Sequence, residues 1–292
     1  MTYAPLDQVC AVAGLDSNSA RLLHSRANAV FHLPQAHAVV RLRQTGGSGE
    51  WKRRLSLAVE MTRWLHHHGF PTVTPLPVQQ PITVGEWTAT FWTYIAVDEQ
   101  SVAPSSSDLG ALLRALHELP APPVDLLATN PLGSLLADLS RSDLTLPVGQ
   151  HDWLREQGRR LLAEYESAAL PLGQGMIHGD AHPGNLLASG GRYLMIDWDS
   201  ISYGPRAQDL VPTLMGVLRF GRPPANWVAL CDAYGVDPGI QDDSGVLLLC
   251  RARELRSLAA YLRAADHPGV RAELDKRLSS LMDGINERWR PI

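Results

Sequence analysis

The hydrophobic pattern changes character about a third of the way along the chain. Early on, apolar positions fall in short runs, and 27–33 and 38–43 read as strands. Pro34 and Gln35 between them predict a hairpin turn. Gly46, Gly47 and Gly49 interrupt the chain, helical spacing over about 51–67 predicts one long helix, and Pro71, Pro75, Pro77 and Pro81 punctuate a loop. Alternation returns at Thr88, Thr90, Trp92 and Tyr94, a further strand. The stretch SVAPSSSD reads as a linker, with Ser107 able to cap the next helix. From there helical spacing dominates, over about 108–118, 151–169, 207–219, 246–265 and 269–288. The pattern predicts an α+β chain, with a small β-rich N-terminal lobe at 1–97, a hinge near 93–100 and a larger, mainly helical C-terminal lobe at 98–292.

Composition narrows the partners. The 292 residues suit two lobes better than one core. Lysine and arginine number 26 against 30 acids, a net charge of -4, which predicts no nucleic-acid partner. No apolar stretch approaches the ~20 residues of a membrane helix, so no membrane partner is expected. The opening MTYAPLDQVC lacks the basic-then-apolar layout of a signal peptide. Cys10, Cys231 and Cys250 are few and far apart and read as reduced thiols, which points to the cytoplasm. His66, His67 and His68 end a helical pattern before Gly69, the place of a C-terminal cap.

The densest chemistry lies in HGDAHPGNLLASGGRYLMIDWDS, from His178 to Ser200. Two strand-like pieces flank Gly190-Gly191, a hairpin that brings Asp180, Asn185 and Asp197 to one end of a scaffold. Phosphoryl transfer asks for such groups: a carboxylate to orient the attacking hydroxyl and take its proton, and hard oxygen ligands for Mg²⁺ on a triphosphate. Asp180 suits the first role, Asn185 and Asp197 the second. His178 reads as structural, while His182 is either structural or a border of the substrate. Asp199 is a hairpin-end cap or a contact to a second metal. A metallohydrolase would use His178, Asp180 and His182 as alternating strand ligands, but Gly179, Pro183 and Gly184 break strand geometry.

The pattern HGD-x-H-x-x-N followed by IDW resembles the signature of the aminoglycoside phosphotransferase family, a branch of the protein-kinase-like fold with choline and homoserine kinases as relatives. The likeness runs from about Ala27 to Leu214. It implies a bilobal kinase that moves the γ-phosphoryl of ATP or GTP, with Mg²⁺, onto a hydroxyl of a small molecule. Antibiotics such as aminoglycosides are the acceptors it suggests first, then sugars or amino alcohols; a nucleotide-binding pseudokinase without turnover is the alternative from another class. By the resemblance Asp180 is the base, Asn185 and Asp197 hold metal, and Asp209 braces the catalytic loop. The Ser25 to Asn28 turn resembles the segment that covers the phosphates. Arg41 stands where the family carries a lysine on the α- and β-phosphates, with Arg43 on the same strand face as competitor. The helix glutamate that orients this cation aligns near Ala58, two positions from Glu60, roughly 200° around the helix. Thr93, Tyr94 and Ile95 align with the hinge that holds the adenine edge.

On the acceptor side, the 246–265 helix has an apolar face at Leu248, Ala252, Leu255, Ala259 and Leu262. Beside it runs a polar stripe of Cys250, Glu254, Ser257 and Tyr261, which either lines a substrate pocket or faces solvent. Charge in the last part of the chain is balanced and gives no push toward polyamine substrates.

Overall fold

The computed structural model describes residues 4–25, 28–46, 48–96, 102–141, 144 and 146–291. Arg26 and Ala27 of the expected phosphate-covering turn, and Val97 to Gln100 of the expected hinge, lie outside the described residues. In chain order the elements begin with α1 (Ala4–Ala13), β1 (Arg21–Ser25), β2 (Ala29–Leu33), β3 (Ala38–Gln44), α2 (Gly49–His67), β4 (Ile82–Val84) and β5 (Trp87–Thr93). Next come α3 (Ser106–Glu118), α4 (Leu135–Asp138), α5 (Val148–Ser167) and β6 (Gln174–Ile177). The hairpin β7 (Leu186–Ser189) and β8 (Arg192–Met195) is followed by β9 (Ser202–Pro205), α6 (Val211–Phe220), α7 (Ala225–Tyr234), α8 (Ser244–Arg263) and α9 (Pro268–Met282). The mixed α and β content, with a β-sheet start and a helical end, is the expected fold class. No helix among the described residues is long and apolar enough to cross a membrane.

The chain forms two compact units. One comprises Met1–Pro104, Pro120–Leu126 and Gly184–Ile201, the other Ser105–Leu119, Leu127–Pro183 and Ser202–Ile292. The first is built on a five-stranded antiparallel sheet in the order β1-β2-β3-β5-β4. Side chains alternate across a strand. Ala38, Val40 and Leu42 of β3 therefore face a core shared with Phe31, Leu33, Phe91 and the Leu6, Val9 and Cys10 face of α1. Val39, Arg41 and Arg43 take the opposite face, where Arg41 sits across from Val30 and Thr90. The turn after β2 is a 3-10 turn, Pro34–Ala36, closed by His37 in the left-handed region.

The β7–β8 hairpin of this unit turns at Gly190 and Gly191, with φ of 57° and 75°. Two successive positive φ values are what a two-residue hairpin loop requires and what glycine allows. The base of the hairpin is anchored: Met195 donates its N–H to the Pro71 carbonyl at 2.9 Å, and Thr72 Oγ1 bonds the Met195 carbonyl at 2.9 Å. The buried Trp198 indole donates to Thr72 Oγ1 at 2.9 Å and lies edge-on to Phe70.

The second unit is mainly helical. Its core joins Leu135 and Leu139, Leu154 and Leu161 of α5, Leu255, Leu258 and Leu262 of α8, and Leu274 and Leu278 of α9. Ser105 rather than Ser107 caps α3: its hydroxyl accepts the Asp108 N–H, while the Asp108 carboxylate takes the Ser105 N–H at 2.8 Å. The helix expected over 207–219 divides, because Pro212 has no N–H to give an earlier turn. Arg206–Asp209 is a 3-10 turn and α6 starts at Val211. The last helix stops at Met282, six residues before its expected end at 288, and Gly284, with φ of 67°, turns the chain back.

Helices α3 and α7 pack closely at Gly110, where a Cβ would run into the Leu230 carbonyl. Gly110→Ala should cost roughly 1–3 kcal/mol by overpacking. Thermal unfolding checks this, and an unchanged melting temperature would show that the two helices can separate freely.

Candidate active site

Asp209 is the most deeply placed of the chemical residues. Its carboxylate is fully buried and accepts the N–H of His178 at 2.7 Å and of Gly179 at 2.8 Å. His117 Nε2 lies 3.1 Å from the same carboxylate, and His117 Nδ1 is 2.9 Å from the Tyr234 hydroxyl. The α3–α7 packing thus supplies the histidine, and the 3-10 turn before α6 supplies the acid. Together they fix the backbone just ahead of Asp180. His178 is itself buried, and its Nδ1 is 3.3 Å from the Asp180 N–H.

Asp180 meets Arg253 of α8, with Nη2 to Oδ1 at 2.6 Å and side-chain exposures of 36% for Asp180 and 29% for Arg253. Burial alone would push the carboxyl up. The Arg253 guanidinium, by its charge and its hydrogen bond, outweighs that, His182 and Arg256 add to it, and the group is held down at about 2. Asp180 is therefore ionised at any ordinary pH.

In the other unit, Arg41 holds two carboxylates. Its Nη2 is 2.8 Å from Asp197 Oδ1, while Nη1 and Nη2 fork onto Asp199 at 3.1 Å each. Burial works against the Arg41 charge; Asp199 and then Asp197 overcome it and push its pKa up. Asp197 has φ of 66° and ψ of 60°, a left-handed conformation that aspartate tolerates better than most residues. Asn185 is buried and lies next to it across the hairpin base, its carbonyl accepting the Ile196 N–H at 2.9 Å. Asp199 is more than a hairpin cap, because it also meets Arg43 Nη1 at 3.3 Å. Arg43 in turn reaches Asn28 Oδ1 at 3.1 Å and covers the Trp51 ring at 3.6 Å. Ser25 lies exposed at the end of β1.

Glu60 is on the exposed face of α2, and Ala58 is fully buried. The partners of Arg41 come from the hairpin end, so the offset of two positions in α2 has a structural counterpart. At the end of β5, the Thr93 N–H bonds the Thr74 carbonyl and the Tyr94 N–H bonds the His37 carbonyl, both at 2.8 Å. The Tyr94 ring stacks on His32 with centroids 3.7 Å apart. Ile95 joins an apolar cluster with Val39, Val59, Val73, Trp92, Leu187 and Ile196.

The polar stripe of α8 has a different setting from Asp180. Glu254 bonds Arg219 Nε at 2.6 Å, Ser257 Oγ receives Arg277 Nη1 at 3.2 Å, and Tyr261 receives Arg277 Nη2 at 2.6 Å while donating to the Arg290 carbonyl at 2.7 Å. These residues fasten the C-terminal segment to the helices. The α8 residue that meets Asp180 is one position before Glu254, about 100° around the helix, at Arg253. The three cysteines are buried, which pushes Cys10 up to about 11 and Cys231 and Cys250 up to about 12.

The model of the phosphotransferase enzyme family, APH, matches residues 19–274. The chain belongs to this family. Its members are small-molecule kinases that phosphorylate hydroxyl groups. None of the curated protein sequences matches this phosphotransferase. Among solved structures it is similar to an amicoumacin kinase in complex with AMP-PNP, Ca²⁺ and Ami, with 14% identity and a TM-score of 0.73, covering 97% of this chain and 94% of that one. It is also similar to a microcompartment-associated aminopropanol kinase, at 15% identity and a TM-score of 0.71, covering 94% and 93%. A choline/ethanolamine kinase family protein from Mesorhizobium loti shares 20% identity at a TM-score of 0.64, covering 94% and 92%. These likenesses show the protein-kinase-like fold of aminoglycoside phosphotransferases and choline kinases.

The Asp180–Arg253 contact gives a titration test. In Arg253→Gln, burial should dominate and the Asp180 carboxyl should rise from about 2 to above its ordinary 3.8. Because the folded value is depressed, the pairing stabilises the fold above pH 3.8, and that contribution disappears as pH falls toward 2. A carboxyl-detected NMR titration reads the shift; an unmoved Asp180 would mean that Arg253 does not control it.

Proposed function

We propose that this phosphotransferase moves the γ-phosphoryl group of ATP or GTP onto a hydroxyl of a small molecule. The observation that carries the reading is the pair Asp197 and Asp199, gathered at the hairpin end around one guanidinium, beside Asn185. An amide oxygen and carboxylates are the donors a hard divalent cation takes. No cluster of three or more His, Cys, Asp or Glu side chains fit for a metal occurs among the described residues, so phosphate oxygens and water would complete the shell. Asn185 and Asp197 would hold Mg²⁺, which when bound shields the charge of the transferred group.

The chain's own residues do the rest. Asp180, ionised and set on a backbone that Asp209 braces, aligns the acceptor hydroxyl. The hydroxyl oxygen bonds to the γ-phosphorus, the bond from that phosphorus to the β-phosphate oxygen breaks, the nucleoside diphosphate leaves, and the hydroxyl proton passes to Asp180. Arg41 has five N–H donors and can meet phosphate oxygens while keeping a carboxylate. Ile95 and its apolar neighbours are the candidates to pack on a base, with Thr93 and Tyr94 shaping the strand end. Antibiotic and amino-alcohol kinases both occur among the structures of similar fold. A pseudokinase reading is favoured by one fact, that Arg41 already engages both carboxylates; absence of any turnover with intact nucleotide binding would select it.

Two substitutions separate the roles. Asp180→Asn should keep nucleotide binding and lower turnover by about 10²–10⁴-fold, the usual worth of a positioned base. Asp197→Asn should weaken Mg²⁺-nucleotide binding itself, with activity partly recovered by added Mg²⁺. Near wild-type turnover in Asp180→Asn would remove it as the base. For Arg41→Ala, calorimetry should show nucleotide affinity lower by about 10–100-fold, the loss of charge-assisted bonds. Arg43→Ala should lose less and Arg41→Lys should fall between; unchanged affinity in Arg41→Ala takes it out of the phosphate site.

A further inference from the structure

Beside Asp180 the second unit is basic. A recess is lined by Pro131, Gly179, Gln208, Arg253 and Arg256 together with apolar residues of α6 and α8, and no acid is among its walls. Arg253 and Arg256 are three apart on α8 and so share a face. Arg253 is in contact with Asp180 at 2.6 Å, and the charge of Arg256 also acts on it. The Arg256 side chain lies over Gly133, which has φ of 57°, with its Nε 3.2 Å from where a Cβ would stand. The acids that would make the place hospitable to a cation are committed elsewhere: Glu254 to Arg219 and Asp138 to Arg263.

We propose that the acceptor carries an oxyanion, a carboxylate or a phosphate, near the hydroxyl that is phosphorylated, and that Arg253, with Arg256, binds it. The inference rests on the phosphotransfer reading of Asp180. A guanidinium has donors enough to keep Asp180 in place with one edge and receive an oxyanion with the other. Asp180 then finds the hydroxyl at a fixed distance from the anion, and Arg253 sets both the register and the charge class of the acceptor. An amine or a polycation in the same place would set like charge against two guanidiniums, and Asp180, the carboxylate beside them, is already paired with Arg253.

The test is a series of short hydroxy compounds of one carbon skeleton, ending in a carboxylate, a phosphate, a neutral amide or an amine. Each is assayed for calorimetric binding and for phosphorylation in the presence of Mg²⁺-ATP, with the wild type, Arg253→Gln and Arg256→Gln. The anion-ended members should bind at least ten-fold more tightly than the amide. Arg253→Gln should abolish that preference mainly through KM, while its nucleotide affinity stays within two-fold of wild type. The carboxylate and phosphate arms identify which oxyanion Arg253 and Arg256 take. Equal binding of amide and anion, or preference for the amine, overturns the proposal while leaving phosphotransfer standing. A fall in kcat shared by every acceptor, with the preference for anion over amide kept in the binding of Arg253→Gln, would limit Arg253 to its contact with Asp180 and also overturns the proposal. Failure of the wild type to bind Mg²⁺-nucleotide is a separate outcome, which brings down the phosphotransfer reading and this inference with it.

Discussion

A carboxylate taken wholly or partly out of water has to be met by opposite charge or by several donors, and the candidate acids of the site are positioned by how that demand is met. Asp209, with no exposure, is met by two backbone N–H groups and His117. Asp197 and Asp199 are met by the Arg41 fork, and Asp180 by Arg253. These partners also determine geometry, because each one is rooted in a different element. Withdraw the partner and the acid is left with a desolvation cost and nowhere fixed to point.

The supports behind these contacts are ordinary packing. Arg41 is aimed by the alternation of β3, whose other face is sealed by α1. The hairpin end that carries Asp197 is pinned by Trp198, by the Met195 N–H bond to the Pro71 carbonyl and by the Thr72 hydroxyl. Gly110 lets α3 approach α7, and His117 of α3 spans from Tyr234 of α7 to Asp209. On the far side of α8, Arg219 and Arg277 are occupied with Glu254, Glu273 and the returning C-terminal segment. That leaves Arg253 as the helix residue facing the acid. The Asp180 contact therefore depends on helix phase, and a rotation of one residue in α8 would exchange an arginine for a glutamate at Asp180.

What could be read directly from the sequence was local. Gly190-Gly191 demands a tight hairpin wherever it occurs between two apolar runs, and HGD-x-H-x-x-N with IDW fixes the order of the candidate groups along one short segment. The resemblance to the family was carried by the same residues, and the family model then matches residues 19–274. Contacts between distant positions were not legible: Arg41 and Asp199 are 158 positions apart, and nothing in either neighbourhood names the other. Helix phase was a second blind spot. The stripe through Glu254, Ser257 and Tyr261 has the right spacing for a pocket wall, but its partners Arg219 and Arg277 are supplied by other helices. Glu60 is a similar case, where one acid on α2 drew attention although the buried face is that of Ala58 and Thr62. The break before α6 was legible in principle, since Pro212 stands inside the expected helix.

The account centres on transfer of a phosphoryl group to a carbon-borne hydroxyl. Phosphorus NMR of the wild type with Mg²⁺-ATP and an acceptor observes that event itself. The account predicts a phosphomonoester resonance that grows as the γ-phosphate signal declines, in equal amount and with nucleoside diphosphate as co-product. Decline of the γ-phosphate signal into inorganic phosphate alone, with every acceptor class, would contradict it.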